Sequence, residues 1–142
     1  MKKIRLMTLM AIFCLVAPHT FAAKLSDELV AFRGLYKQLV EINTTLSEGS
    51  CTVAANAMAD RLRSAGIPDN DIHVIVPPEW PEQGNLIATL RSPVPDTDAV
   101  MLLAHIDVVE ADRADWERDP FTLIEENGYF YGRGTADDKS MA

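Results

Sequence analysis

Ala99-Val100-Met101-Leu102-Leu103-Ala104-His105-Ile106-Asp107 is the stretch on which the fold turns. Its apolar start is unbroken, lacking the alternation of a half-buried strand and the length of a helix. That pattern predicts a β-strand at 99–104 covered on both faces. In sheets of this kind, ligands bind beyond the carboxyl ends of the strands, which is where His105 and Asp107 stand. Two residues apart on an extended chain, their side chains point to the same side. An imidazole and a carboxylate so placed suit a metal ligand and its orienting partner. By themselves they read more readily as a hydrogen-bonded strand end.

Downstream, the chain carries Gly132-Arg133-Gly134-Thr135-Ala136-Asp137-Asp138-Lys139. The two glycines permit tight turns, and the adjacent carboxylates are costly to hold together unless a cation compensates them. A bound metal would do so; a solvated turn with Asp138 and Lys139 as surface charges is the other reading. Between the two motifs, Phe121–Glu126 and Tyr129–Tyr131 form a predicted hairpin, because Asn127-Gly128 suits a type I′ turn.

Upstream, residues 26–42 read as a helix. Ser26 is its N-cap, Asp27 and Glu28 lie in the first turn, and Leu29, Phe32, Tyr36, Leu39 and Val40 recur at helical spacing. Asn43–Gly49 is a polar break. A second helix is expected over 52–65, with Ala54, Met58, Leu62 and Ala65 on its core side and Gly66 as its stop. Ile72–Val76 and Asn85–Arg91 have strand character. Helices followed by strands, with a buried central strand, point to an α/β domain in which helices pack on a mixed sheet.

The extreme N-terminus differs from the rest. Lys2, Lys3 and Arg5 precede an apolar run from Leu6 to Ala17 and small residues ending at Ala22-Ala23. This is the pattern of a secretory signal peptide over 1–22, with an apolar run well short of the roughly 20 residues a membrane-spanning helix needs. Residues 23–142 are then the exported part, periplasmic or secreted. Without Lys2, Lys3 and Arg5, 10 basic residues face 21 acidic ones, a net charge of −11. Such a balance excludes a basic nucleic-acid footprint and argues against binding anionic membranes after the signal is cleaved. Only Cys51 follows the signal segment, so no internal disulfide staples the exported part; a buried thiol is the expectation.

Taken together, His105-Ile106-Asp107, Trp116, Asp119-Pro120-Phe121, Gly128, Tyr131-Gly132-Arg133-Gly134 and Asp137-Asp138-Lys139 are similar in order and spacing to the M20 metallopeptidases and deacylases. That family carries an H-x-D strand end, a W-x-x-x-P-F segment and a G-R-G-x-x-D-D-K loop, and the likeness covers roughly residues 100–140. The resemblance implies an incomplete zinc-exopeptidase-like catalytic domain at 23–142, with a largely parallel sheet. It implies a pair of zinc ions in the intact protein, with Co2+ or Mn2+ as substitutes. His105 would be a ligand of one ion and Asp137 a bridging ligand. Asp107 is the catalytic candidate, acting by holding His105. The bond between Asp137 and Asp138 would be cis, as its family equivalent typically is.

The implied substrate is a small peptide or N-acyl amino acid, cleaved at an amide bond by metal-activated water. The family's glutamate base, its remaining ligands and the smaller domain through which members form homodimers have no counterpart in these 142 residues. The 142-residue chain is therefore expected to be inactive by itself, and a truncated, non-catalytic exported binding module or gene remnant is the alternative. Ser140 stands where many members have glycine.

Overall fold

The computed structural model describes residues 25–142; the signal segment expected at 1–22 lies outside the described residues. Helix α1, Asp27–Glu41, begins where Ser26 accepts a hydrogen bond from the Leu29 amide at 3.3 Å, and it buries Tyr36, Leu39 and Val40. Helix α2, Cys51–Ser64, starts in the same way at Ser50, which accepts from the Val53 amide at 3.1 Å. It ends in a Schellman turn: Gly66 N donates to Arg63 O at 2.9 Å and Ile67 N to Leu62 O at 3.0 Å. Gly66 adopts φ 91°, a conformation open chiefly to glycine.

The buried stripe of α2 is narrower than its sequence suggests. Cys51, Ala54, Ala55 and Ala59 are buried, Met58 and Leu62 are half-buried and Ala65 is exposed. Small side chains there let the helix lie close against strands β1 (Ile72–Ile75) and β2 (Asn85–Ala88). These strands pair antiparallel, Ile72 opposite Ala88 and Ile75 opposite Asn85. Just before β1, the buried carboxylate of Asp71 accepts from Arg91 Nε at 2.9 Å and from its terminal nitrogen at 2.5 Å.

Strands β3 (Ile124–Glu126) and β4 (Tyr129–Tyr131) form the second antiparallel pair. Asn127 at φ 53° and Gly128 at φ 82° turn the chain between them, the two positive values a type I′ turn requires. Helix α1 packs on this hairpin through Tyr36, whose ring meets Phe130 edge-on at 5.4 Å. The Arg33 guanidinium lies 5.5 Å above the same Phe130 ring and pairs with Glu125 at 2.7 Å.

Two sequence expectations are not met among the described residues. Among the described residues the sheets are two separate antiparallel pairs, not one mixed, largely parallel sheet. The run 99–104 forms no strand, and Val100, Met101, Leu102 and Leu103 are 79–91% exposed. A strand covered on both faces needs a hydrogen-bonding neighbour on each edge and a layer above and below, and the described residues provide neither. The coarse α/β class stands. No helix of the described residues is long and apolar enough to cross a membrane.

Candidate metal centre

The two motifs, 32 positions apart, meet in space. His105 Nε2 lies 3.1 Å from Asp137 Oδ1. On the other side of the ring, Nδ1 lies 3.2 Å from the Asp107 carbonyl and 3.3 Å from Asp107 Oδ1. The His105 amide donates to Asp138 Oδ2 at 3.4 Å, and the Asp137–Asp138 peptide is cis. The Asp107 carbonyl at the ring nitrogen holds the imidazole pKa above its ordinary value, and the Asp107 and Asp137 carboxylates push the same way. All three side chains remain more than half exposed, at the rim of a cavity of about 210 Å³ that Val109, Arg133 and Thr135 help to line. A larger depression of about 520 Å³, beside Ser47 and Glu110, contains none of the three.

The loop that presents Asp137 is shaped by what surrounds it. Gly134 adopts φ 84°, and a Cβ there would lie 2.8 Å from Val108 Cγ1 and 3.0 Å from Lys139 Cδ. Only a residue without a side chain lets the loop approach the 105–108 segment so closely. The Tyr36 hydroxyl donates to Thr135 O at 2.7 Å, tying the loop to α1. Arg133 stacks its guanidinium 4.9 Å over Trp116 and donates to the Glu110 carbonyl at 3.3 Å.

Lys139 is not the surface charge that a solvated turn would make of it. It is 2% exposed and donates from Nζ to the Ile42 carbonyl at 2.7 Å, and burial pulls its pKa down to about 8. Thr44, also buried, donates from its hydroxyl to Ile106 O at 2.6 Å. Sequence reasoning gave neither a role in the site: Lys139 closed the 132–139 motif without one, and Thr44 lay within the polar break. The available signal was slight: a short Asn-Thr-Thr run between two well-capped helices. Cys51 is a buried free thiol, as expected, with its pKa raised by desolvation.

A zinc ion bound by nitrogen and oxygen sits about 2.0–2.1 Å from each donor, so two ligands on one tetrahedral ion lie a little over 3 Å apart. The 3.1 Å between His105 Nε2 and Asp137 Oδ1 matches that edge, and Asp107 stands at the ring nitrogen where an orienting carboxylate belongs. These residues therefore fit a metal. Among the described residues, no group of three or more His, Cys, Asp or Glu side chains gathers closely enough to complete a site.

A histidine and a carboxylate thus converge from two loops on an α/β scaffold. Residues 101–142 match the family model described as Peptidase family M20/M25/M40. The chain is 37% identical over 119 residues to the acetylornithine deacetylase of Proteus mirabilis, covering 80% of this chain and 29% of that protein. It is 34% identical over 116 residues to the N-fatty-acyl-amino acid synthase/hydrolase of Mus musculus, covering 80% of this chain and 23% of that protein. It is also 34% identical over 113 residues to the succinyl-diaminopimelate desuccinylase of Coxiella burnetii, covering 75% and 26%. These matches support an M20 family peptidase or deacylase, of which this chain corresponds to a part. It spans less than a third of the length of these relatives.

Proposed function

We propose that the full-length protein is an exported, metal-dependent hydrolase that cleaves the amide bond of an N-acyl amino acid or a small peptide. The observation that carries this reading is the 3.1 Å approach of His105 Nε2 to Asp137 Oδ1, with Asp107 at the opposite ring nitrogen. The names of the relatives add weight, since they include a deacetylase, a desuccinylase and an acyl-amino acid hydrolase.

In this reading His105 and Asp137 would hold zinc, with Co2+ or Mn2+ as substitutes. Bound zinc supplies a water acidic enough to ionise near neutral pH and a polarised amide carbonyl. The chain's own residues do the positioning. Asp107 fixes the imidazole tautomer that leaves Nε2 free to ligate, and makes the ring more basic. Gly134 lets the Asp137 loop close on the 105–108 segment. The cavity beside Arg133 and Thr135 gives the scissile group an approach to the ligands.

A catalytic zinc takes three protein ligands and keeps one position open. The third ligand and the general base are therefore assigned to further parts of the full-length protein, and residues 25–142 alone are expected to be inactive. The exposed apolar run 99–104 supports a strand of a largely parallel sheet of the zinc-exopeptidase kind, completed by the same further parts. Homodimer formation through an additional domain belongs to this reading as well.

The test is to load the full-length protein with zinc and assay a panel of N-acyl amino acids and dipeptides for amide cleavage. Activity that a chelator removes and zinc restores is expected. The relative rates on acyl and peptidyl substrates then separate deacylase from peptidase. A zinc-loaded protein that cleaves nothing on the panel refutes the reading.

A further inference from the structure

We propose that the turn between α1 and α2 is a bracket that sets the separation of His105 and Asp137, with Thr44 and Lys139 as its positioning residues. The inference rests on the reading of His105 and Asp137 as metal ligands. The turn grips both halves of the site. Thr44 donates from Oγ1 to Ile106 O at 2.6 Å, and its carbonyl accepts from Val108 N at 3.2 Å. Those two bonds fall on the residues either side of Asp107. Two residues earlier, the Ile42 carbonyl accepts from Lys139 Nζ at 2.7 Å, and Lys139 lies two positions beyond Asp137. The Lys139 amide in turn donates to Gly134 O at 3.2 Å, closing the loop that presents Asp137.

The turn is itself held in one shape. Asn43 Oδ1 accepts from both the amide and the hydroxyl of Thr45 at 2.9 Å, Ser50 N donates to Asn43 O at 2.9 Å, and Gly49 N to Thr45 O at 3.0 Å. A Cβ at Gly49 would fall 2.3 Å from Thr45 N, so this closure tolerates no larger residue. The burial pattern singles out the same place. Thr44, Thr45, Asp71 and Lys139 are the buried polar or charged residues among those described, and all but Asp71 belong to the bracket. Buried polar groups are costly unless partnered, and here the partners are the backbone on either side of the candidate ligands. Ordinary core packing would place apolar side chains in these positions.

The experiment uses the full-length protein and the variants Thr44→Val, Thr44→Ser and Lys139→Met. Cobalt binding is followed by visible absorbance at a temperature where circular dichroism shows each variant folded. Thr44→Val is expected to bind cobalt about 10–100-fold more weakly, the usual effect of losing a group that orients a ligand, and Thr44→Ser to recover most of the affinity. In the metal-free protein, Thr44→Val should speed amide exchange at Lys139 as well as at Val108, and Lys139→Met should speed exchange at Val108. If Lys139→Met does not fold, Thr44→Val read at both amides decides the question. A folded Thr44→Val that keeps the cobalt affinity of the parent overturns the bracket. So does exchange that quickens only at the substituted residue's own partner. If the parent binds no cobalt, the metal reading itself fails, and the exchange measurements still decide whether the two segments are coupled through the turn.

Discussion

Replacing Gly134 by alanine tests the closeness on which the site depends. The residue sits at φ 84°, where a Cβ costs about 1–2 kcal/mol through contact with its own carbonyl. The added methyl would also stand 2.8 Å from Val108 Cγ1 and 3.0 Å from Lys139 Cδ. Val108 is buried and β-branched, and Lys139 is buried and held at its tip, so neither can swing away. Forcing a methyl into such packing costs about 1–3 kcal/mol more. Gly66 is the internal control: its φ of 91° is equally unfavourable for alanine, but a Cβ there meets nothing within 4 Å. Urea denaturation of both variants, with the slope checked for constancy, should show Gly134→Ala less stable than Gly66→Ala by about 1–3 kcal/mol. Equal losses, or a greater loss at Gly66, would show that the 132–139 loop does not press on Val108, and the geometry argued for the site would fall with it.

Further expectations concern the ligands, a buried charge and an ion pair. His105→Ala and Asp137→Ala should each abolish metal binding by the full-length protein in calorimetric titration, while Asp107→Asn should weaken it about 10–100-fold; equal effects from all three would argue against a positioning role for Asp107. Lys139 has a folded pKa near 8, below its ordinary value, so between pH 8 and 9 the unfolded chain holds more protons than the folded one. The stability of the parent relative to Lys139→Met should therefore rise across that window, and a flat or falling difference in denaturation midpoints would contradict the burial of the ammonium. Arg91→Met leaves the buried Asp71 carboxylate without its guanidinium partner and should cost about 1–3 kcal/mol in thermal or urea unfolding.

Much of the local structure was legible before any tertiary information. Ser26 and the acidic pair behind it announce α1, and Gly66 closes α2 within a residue or two of the expected place. Asn127-Gly128 specifies its hairpin because both residues tolerate positive φ. The pairing of the 105–107 and 132–139 motifs was legible as a resemblance in order and spacing, and the structure brings His105 and Asp137 together. The caps and the turn act within a few residues of their signals, where chain stiffness and hydrogen-bond reach make pattern and outcome nearly the same thing; the meeting of the two motifs, 32 positions apart, was legible only through the resemblance.

What only the tertiary structure decided depends on partners far along the chain. The apolar run 99–104 carries a strong hydrophobic signal, but hydrophobicity says that a segment wants covering and not what covers it; among the described residues it lies exposed. The core face of α2 is set by its distance from β1 and β2, which favours alanines over the larger Met58 and Leu62. Thr44 and Lys139 look like surface residues in sequence, yet their bonds to Ile106 and Ile42 span 62 and 97 positions. Burial of a polar group is favourable only when a specific acceptor arrives from elsewhere, and that arrival is a property of the folded chain alone.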